Sequence, residues 1–390
     1  MIDEIAMGPF GSNIKVDCFV PSGVPVLNGS NLIGFTLTED AFSYVTPEKA
    51  ASLKRAVASR GDIVITHRGT LGQIVYIPSD SKYEKYVISQ SQFRVKCKES
   101  EMLPEFMVYF FHSRKGQHQL LSNSSQVGVP ALARPSSTFQ ELEMPVPTIE
   151  EQRVIVNTLS ALDDRIGTNT KINHHLEQMA QASFERLIIE EAADEPLGVL
   201  SDIAEINPLR TLRKGNEATY IEMANLPTRG SFPINWAMRP YAGGMRFKNG
   251  DTIMARITPC LENGKTAFIN FLGKDEIAFG STEYIVIAPK PGYCHEMFYF
   301  LARYSDFVSY AVKNMNGSSG RQRVSGESIG AYELNIPSEK AVEEFSEIAQ
   351  PIMKTIARNA LESRTLAALR DALLPRLMSG ELSVADIAAK

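Results

Sequence analysis

Two short stretches of the sequence place hydrogen-bond donors and acceptors in the same arrangement. The first, RGDIVITHRGTLGQIVYI, begins at Arg60, and the second, NGDTIMARITPCLENGKTAFI, begins at Asn249. Each contains Gly-Asp, a short apolar run, a polar elbow and a second apolar run that ends in isoleucine, which predicts a β-hairpin with a polar turn. The candidate side chains are Thr66, His67, Arg68, Thr70 and Gln73 in the first elbow and Arg256, Thr258 and Lys265 in the second.

These residue types have the chemistry for binding nucleic acid. Side chains with paired donors and acceptors read base edges, whereas Arg, Lys and small hydroxyl groups bind phosphates. Two more polar clusters follow each elbow in the same order. They add Ser89, Gln90, Gln92, Ser125 and Gln126 in the first half of the chain, and Ser281, Thr282, Ser318, Ser319, Arg321, Gln322 and Arg323 in the second. Each cluster alone is also typical of a solvated turn, but their recurrence in register favours a shared binding role.

Catalytic motifs are sparse in this sequence. It has no Walker loop, no Gly-x-Gly-x-x-Gly and no His-Glu-x-x-His. The run Asn207-Pro208-Leu209 lacks the second proline and the aromatic residue with which amino-methyltransferases hold a flipped adenine. His174 and His175 are expected to face solvent rather than to bind metal. We therefore expect a binding protein without a metal site, because a nuclease would need an acidic metal cluster that the sequence does not show.

The composition is that of an ordinary globular protein, with 44% hydrophobic and 22% charged residues and a formal net charge of −5. No apolar run approaches the roughly 20 residues of a membrane span. The four cysteines are scattered without a Cys-x-x-Cys pair, so we expect reduced thiols and a cytoplasmic protein. The acidic balance argues weakly against nucleic acid. Nine basic and four acidic side chains between Arg210 and Lys265 nevertheless permit a positive face.

The elbows belong to a larger internal repeat. Each copy, of about 190 residues, begins with short strands rich in Val, Ile, Tyr and Thr and ends in a long segment almost free of Gly and Pro. We expect an α+β fold in which two β-rich globular domains, residues 1–146 and 196–336, are related by a pseudo-twofold repeat. Residues 147–195 and 337–390 are expected to form the two long helices, the second with a C-terminal tail.

The two long segments carry a seam of apolar residues at alternating three- and four-residue spacing. This period is typical of helices that supercoil about each other. An antiparallel coiled coil is favoured because the intervening domain returns the chain to the first helix, and two independent amphipathic helices are the alternative. About 40 residues per helix would give a rod of roughly 60 Å. The predicted seam contains Ile155, Leu159, Leu162, Ile166, Asn169, Leu176, Ile352, Ile356, Asn359, Leu366 and Leu373.

Several motifs make the chain resemble the specificity subunits of type I restriction-modification enzymes, and the resemblance extends over essentially the whole sequence. In addition to the hairpin that begins at Gly61, they are MGPFGSNIKV (7–16), PVLNGSNLI (25–33), MPVPTIEEQRV (144–154) and LESRTLAALRDALLPRLMSGELS (361–383). The C-terminal motif is the most specific of them. Lys15, which lies in the first motif, is included among the candidate DNA-binding residues.

The resemblance implies two target recognition domains, each reading one half of a split site in double-stranded DNA, with the helices as a ruler between the halves. It implies a non-catalytic subunit that recruits two methylase (modification) subunits, which restriction subunits then join. S-adenosylmethionine, ATP and Mg²⁺ are expected only on those partners. The alternative is a duplicated β-rich protein that binds carbohydrate or peptide, which salt-insensitive binding without affinity for duplex DNA would favour.

Overall fold

The computed structural model describes residues 1–9, 11–125, 128–318 and 320–383. The expected α+β class is confirmed, because short strands and helices are combined with two long helices. Contacts between backbone positions divide the chain into two compact units. The first unit contains residues 1–164 together with the segment that begins at Leu366, and the second unit contains residues 165–365. The four-segment division expected from the sequence stays a prediction.

The first unit is built mostly from short strands. They are β1 (Ile2–Met7), β2 (Val24–Val26), β3 (Ser43–Val45), β4 (Val57–Ser59), β5 (Ile63–Thr66), β6 (Ile74–Tyr76), β7 (Lys85–Val87), β8 (Gln92–Cys97), β9 (Ser124–Ser125) and β10 (Ala131–Leu132). Its helices are α1 (Pro47–Ser52), α2 (Pro104–His112), α3 (Arg114–Leu121), α4 (Pro135–Gln140) and the residues up to 164 of the long helix α5 (Ile149–Phe184).

Two four-stranded sheets form the body of the first unit, in the orders β1-β8-β5-β6 and β3-β2-β7-β4. Strand β5 is buried on both faces, which explains its continuous apolar sequence. Ile63 and Ile65 pack into one core with helix α2, while Val64 packs into a second core with Val75. The polar elbow follows β5 directly, so its position is fixed by a strand that is completely enclosed.

The second unit repeats this arrangement. Its strands are β11 (Leu197–Val199), β12 (Ala204–Ile206), β13 (Glu217–Ile221), β14 (Ala237–Pro240), β15 (Arg246–Phe247), β16 (Thr252–Ala255), β17 (Thr266–Phe268), β18 (Ala278–Gly280), β19 (Tyr284–Pro289) and β20 (Glu333–Asn335). Its helices are α6 (Leu200–Ile203), α7 (His295–Arg303), α8 (Ser305–Lys313), α9 (Gly326–Gly330) and the residues up to 365 of α10 (Glu339–Ser379). The sheet orders β12-β19-β16-β17 and β14-β13-β18-β15 match those of the first unit.

The Gly-Asp dipeptide that opens each hairpin forms a tight turn before the strand. Gly61 and Gly250 both have φ of +90°, a conformation that side chains with a Cβ rarely adopt. The carboxylate of Asp62 accepts a hydrogen bond from the backbone N–H of Ser59 (2.9 Å), and that of Asp251 accepts one from Lys248 (2.7 Å). The repeated dipeptide is therefore explained by turn geometry and not by a direct binding role.

Helix packing differs between the units in its details. In the first unit, Phe106 and Phe110 of α2 share a core with Ile155 and Leu159 of α5, and the C-terminal end of α10 contributes Leu374. In the second unit, Phe184 of α5, Phe300 of α7 and Phe345 of α10 form a ring cluster with centroid separations of 5.8 to 6.3 Å. Each β-rich body is thus anchored to long-helix residues of its own unit.

Polar contacts join the two long helices within the second unit. Asn169 donates from Nδ2 to the carbonyl oxygen of Asn359 (3.3 Å), and Asn359 donates to Oδ1 of Asn173 (2.9 Å). Asn173 in turn donates to the carbonyl oxygen of Ile356 (3.2 Å), so residue numbers rise on one helix as they fall on the other. The predicted seam residues are either buried (Ile155, Leu159, Asn169, Ile352, Ile356, Asn359) or half-buried (Leu162, Ile166, Leu176, Leu366, Leu373). Coiled-coil packing itself stays a prediction.

Candidate nucleic-acid interface

In the first unit, the elbow after β5 lies against the two other predicted polar clusters. The backbone N–H of His67 donates to the carbonyl oxygen of Ser91 (2.8 Å), in the turn before β8. The N–H of Leu132 donates to the carbonyl oxygen of His67 (2.8 Å), which attaches the β9–β10 hairpin. Backbone hydrogen bonds therefore bring the three clusters together on one surface.

The second unit has the same backbone arrangement. The N–H of Arg256 donates to the carbonyl oxygen of Glu283 (3.0 Å), and the N–H of Val324 donates to that of Arg256 (3.0 Å). Arg323 forms β-bridges with Ile257 on one side and Asn316 on the other. The elbow, the turn before β19 and the loop before α9 therefore meet as their counterparts do in the first unit.

Some of the candidate side chains in the first unit stabilise the turns. Thr66 is 3% exposed and donates to Oε1 of Gln73 (3.0 Å), whose Nε2 donates to the carbonyl oxygen of Gly29 (2.8 Å). Gln92 is 1% exposed and accepts from the backbone N–H of Ser89 (2.8 Å). Their polar groups are engaged inside the protein, so they position the exposed neighbours.

A shallow cavity of about 220 Å³ lies beside these turns. Asn28, Ser89 and Gln90 supply its polar wall, and Val26 and Leu27 contribute to its apolar wall. The candidates of this unit with exposed side chains are Lys15, Arg68, Thr70, Gln90 and Ser125. Gln126 lies outside the described residues.

His67 is half-buried at the centre of the first elbow. Its ring centroid lies 6.3 Å from that of Phe93, and its Nε2 atom is buried without a hydrogen-bond partner in the described part of the chain. Burial lowers the pKa of His67 below its ordinary value. The imidazole is therefore neutral at neutral pH and does not supply a positive charge to the elbow.

Arg256 occupies the corresponding position in the second elbow. Its Nε atom is likewise buried without a hydrogen-bond partner among the described residues. Lys265 donates from Nζ to the carbonyl oxygen of Met223 (2.7 Å), so it stabilises the loop that follows β13. Thr258 is half-buried, with its hydroxyl 4.0 Å from the sulfur of Met315. Arg256 and Lys265, at the two ends of the loop between β16 and β17, thus supply the basic charge of this elbow.

Glu283 and Arg323 form an ion pair where the clusters of the second unit meet. Nε of Arg323 lies 2.9 and 3.0 Å from the two carboxylate oxygens of Glu283, and Nη2 lies 2.7 Å from Oε1. The pair lowers the pKa of Glu283, chiefly through these hydrogen bonds, and the carboxylate stays ionised. The other candidates are exposed (Thr282, Ser318, Arg321) or half-buried (Ser281, Gln322), and Ser319 lies outside the described residues.

Sequence reasoning missed Glu283 and a group of stacked basic side chains. Arg239, on the exposed strand β14, lies over the ring of Tyr220 at 4.5 Å, and Arg246 lies 6.0 Å from the ring of Tyr241. Stacking on an aromatic ring holds a guanidinium in place while its N–H groups stay available. In the sequence, only the basic surplus between Arg210 and Lys265 indicated Arg239 and Arg246.

Within the described ranges, no group of His, Cys, Asp and Glu side chains is arranged to hold a metal ion. In the same part of the chain, no helix has both the length and the apolar character needed to cross a membrane.

Part of the chain matches a known protein family. Residues 31–178 match the family model described as the type I restriction modification DNA specificity domain. The range contains the first elbow, its neighbouring clusters and most of α5. The predicted resemblance to type I specificity subunits is confirmed.

Two curated specificity subunits are similar over most of the chain. The MjaIX type I restriction enzyme specificity subunit of Methanocaldococcus jannaschii is 22% identical over 374 residues, covering 88% of this chain and 82% of that protein. The HindI type I restriction enzyme specificity subunit of Haemophilus influenzae is 20% identical over 462 residues, covering 97% of this chain and 99% of that protein. The similarity to specificity subunits therefore includes both units and not only the matched domain.

A solved specificity subunit shares the fold. The crystal structure of the type I restriction-modification S subunit from M. genitalium matches with a TM-score of 0.59 and 14% identity, covering 96% of this chain and 93% of that chain. At this identity the comparison concerns the fold alone, and it agrees with sheets combined with long helices.

Proposed function

We propose that this chain is the DNA-binding specificity subunit of a type I restriction-modification enzyme, cytoplasmic and without a catalytic site of its own. It binds double-stranded DNA at a bipartite site, with one half read by residues 1–146 and the other by residues 196–336. The observation that carries this proposal is the shared backbone arrangement around His67 and Arg256, on which the side chains differ. The similarity to specificity subunits favours it over a duplicated carbohydrate- or peptide-binding protein.

The long helices act in this proposal as a spacer between two recognition domains. Residues 147–195 and 337–390 form an antiparallel coiled coil, and a pseudo-twofold repeat relates the two halves of the chain. Support comes from the hydrogen bonds that join Asn169 and Asn173 to residues of α10, and from the burial of the predicted seam. A buried asparagine at a seam position fixes register, which a spacer of defined length requires.

The same helices offer a surface for the methylase subunits. Ile172 and Met179 of α5 are 41% and 61% exposed, and their seven-residue separation places them on one face of the helix. Leu361 of α10 is 39% exposed. Exposed apolar side chains on a helix are suited to a protein partner. In this proposal two methylase subunits dock there, restriction subunits join through the methylase, and S-adenosylmethionine, ATP and Mg²⁺ bind only to those partners.

Sequencing of methylated DNA tests the proposal. The chain is expressed with its modification subunit in a host that lacks adenine methylation, and N6-methyladenine is located across the genome. A motif of two short, unlike halves around a fixed gap is the expected result. A continuous motif would contradict the spacer, and absence of methylation from an isolated, soluble complex would contradict the function.

A further inference from the structure

Several positions around the elbows are equivalent in the two units because the same backbone hydrogen bonds and β-bridges define them. His67 corresponds to Arg256, since the N–H of each donates to the turn before β8 or β19 and the carbonyl oxygen of each accepts from the following hairpin or loop. The acceptor in that turn is Ser91 in the first unit and Glu283 in the second. The same frame therefore presents a small hydroxyl in one unit and a carboxylate in the other.

A second pair of equivalent positions, Ala131 and Arg323, lies on the hairpin or loop that follows each elbow. Ala131 forms a β-bridge with Arg68 in the first unit, and Arg323 forms one with Ile257 in the second. Each directly precedes the residue, Leu132 or Val324, whose N–H donates to the elbow. The first unit thus carries Ser and Ala where the second carries the Glu283–Arg323 ion pair. The same backbone arrangement therefore forms with Ser and Ala in one unit and with the ion pair in the other, so the arrangement itself does not require the ion pair.

The backbone of Arg323 is hydrogen-bonded within the loop, while its side chain is partly exposed. Its N–H and carbonyl groups exchange two hydrogen bonds of 2.9 Å with Asn316, in addition to the bridge with Ile257. The side chain of Arg323 is 39% exposed and that of Glu283 is 25% exposed. The pair is partly exposed and bidentate, so it adds at most modestly to the stability of the loop while the guanidinium stays within reach of solvent.

The hydrogen bonds of the guanidinium leave one donor on each terminal nitrogen. Among the described residues, Glu283 takes the N–H groups of Nε and one of Nη2, and the carbonyl oxygen of Arg321 takes one of Nη1. Of the five donors of an arginine side chain, one on each terminal nitrogen is left over. Two donors on a planar fork match the O6 and N7 acceptors that guanine presents in the major groove.

We propose that Arg323 reads a guanine in the half-site bound by the second unit, and that Glu283 is the positioning residue that holds its guanidinium. The inference rests on the proposed DNA-binding function and adds a base and a residue pair to it. Holding one edge of the guanidinium lowers the rotamer entropy lost on binding.

The experiment uses the full chain in complex with its modification subunits and a library of DNA duplexes randomised over the second half-site. Wild type, Arg323→Ala, Glu283→Gln and the double variant E283S/R323A are compared by sequencing the bound fraction. The double variant installs the residue types that the equivalent backbone of the first unit carries. Lys340→Ala, at a side chain that is 86% exposed on α10, controls for loss of one positive charge.

The expected result is loss of preference at one guanine position of the second half-site in Arg323→Ala and in the double variant, with the first half-site unchanged. Loss of a bidentate base contact corresponds to a preference that falls by about 5- to 150-fold. Glu283→Gln is expected to weaken the same preference partially and no other. Replacing that guanine with 7-deazaguanine, which lacks the N7 acceptor, weakens binding to wild type but not to Arg323→Ala.

Two results would overturn the inference. One is equal weakening on every DNA sequence, which identifies Arg323 as a phosphate contact. The other is an unchanged consensus in Arg323→Ala and in the double variant. In both cases a bipartite consensus for wild type would leave the proposed function standing, whereas failure of wild type to select any duplex contradicts that function.

Discussion

Asn359 donates a hydrogen bond from its side chain to Oδ1 of Asn173, 2.9 Å away, between the two long helices of the second unit. Asn359 is 5% exposed, and the adjacent Asn169 is 1% exposed with its Oδ1 unpartnered in the described part of the chain. An apolar pair would pack here at no polar cost. The polar contact is therefore better explained by selection of one register than by stability.

Substitution of these asparagines separates register from stability. Asn359→Leu leaves Oδ1 of the half-buried Asn173 without its donor and is expected to lower the free energy of unfolding by about 0.5–1.5 kcal/mol. The double variant N173L/N359L removes both partners and is expected to recover or exceed wild-type stability. Urea unfolding followed by circular dichroism measures both effects.

The same double variant tests the spacer. With the polar register signal weakened, methylation is expected at sites with more than one gap length, whereas wild type methylates a single gap length. A double variant that is stable and keeps one sharp gap would show that these asparagines do not set the register.

The ion pair beneath the second hairpin is expected to matter for stability. Arg210 and Asp251 form a bidentate contact, with 2.7 Å between Nη2 and Oδ1, and their side chains are 9% and 2% exposed. Asp251→Asn leaves a buried guanidinium without its charge partner, which costs about 3–5 kcal/mol. Thermal unfolding of the second unit should begin at a lower temperature.

The matched control for that substitution is Glu222→Gln. It makes the same acid-to-amide change in an ion pair with Arg239 that is 3.6 Å long and half-exposed on both sides, where about 0–1 kcal/mol is expected. Equal destabilisation by the two variants would contradict the assignment of Asp251 to the folding of the hairpin.

The hairpins could be predicted from sequence because their signals are local. Gly-Asp followed by an apolar run indicates a turn and a strand within a few residues, and β5–β6 and β16–β17 form as expected. The direction of each side chain could not be predicted in the same way. Thr66 points inward because β5 pairs with β8, and this pairing joins residues far apart in the chain.

Charge was the second feature that sequence counting could not resolve. Arg210 contributes to the basic surplus of its region, yet its charge is paired with that of Asp251, 41 positions away. In the sequence, Glu283 is typical of a solvated residue at the start of a strand. In the structure it is paired with Arg323, 40 positions away. A count of charges gives their number but not which of them reach solvent.

Stability of the first unit is expected to depend on His112. Its Nε2 lies 2.8 Å from the carbonyl oxygen of Ile74, its ring centroid is 4.3 Å from that of Phe35, and burial lowers its pKa below the ordinary 6.5. A base whose pKa falls on folding contributes stability that is complete above 6.5 and is lost as the pH falls through the folded-state pKa. The melting temperature of wild type should therefore decrease as the solution is acidified below 6.5.

His112→Gln keeps a donor for Ile74 and removes the titrating group. Its melting temperature is expected to change less than that of wild type between about pH 7 and about pH 5. His118→Gln, at an exposed position of α3, is the control and should keep the wild-type decrease. If both variants respond to acid as wild type does, the pH dependence comes from other groups.

The proposed docking face predicts a charge-sensitive contact with the methylase subunit. Met179→Glu places a carboxylate in the apolar contact and is expected to weaken binding of the modification subunit by at least about tenfold, because a charge there loses water without gaining a partner. Gln178→Glu adds the same charge at the adjacent exposed position and serves as the control. Titration calorimetry with purified modification subunit measures both, and similar losses in the two variants would remove Met179 from the interface.

Arg68 and Arg321 test whether the two units read different halves of the site. Both side chains are exposed, the first in the elbow after β5 and the second in the loop before α9. Arg68→Ala is expected to weaken or relax recognition of one half-site only, and Arg321→Ala that of the other, by about 1–3 kcal/mol each if a base is contacted. Binding to duplexes that carry base changes in one half at a time measures this.

A variant that loses affinity equally for every duplex, with a salt slope reduced by about one, identifies its arginine as a phosphate contact. Loss in the same half-site for both variants would contradict the assignment of one half to each unit.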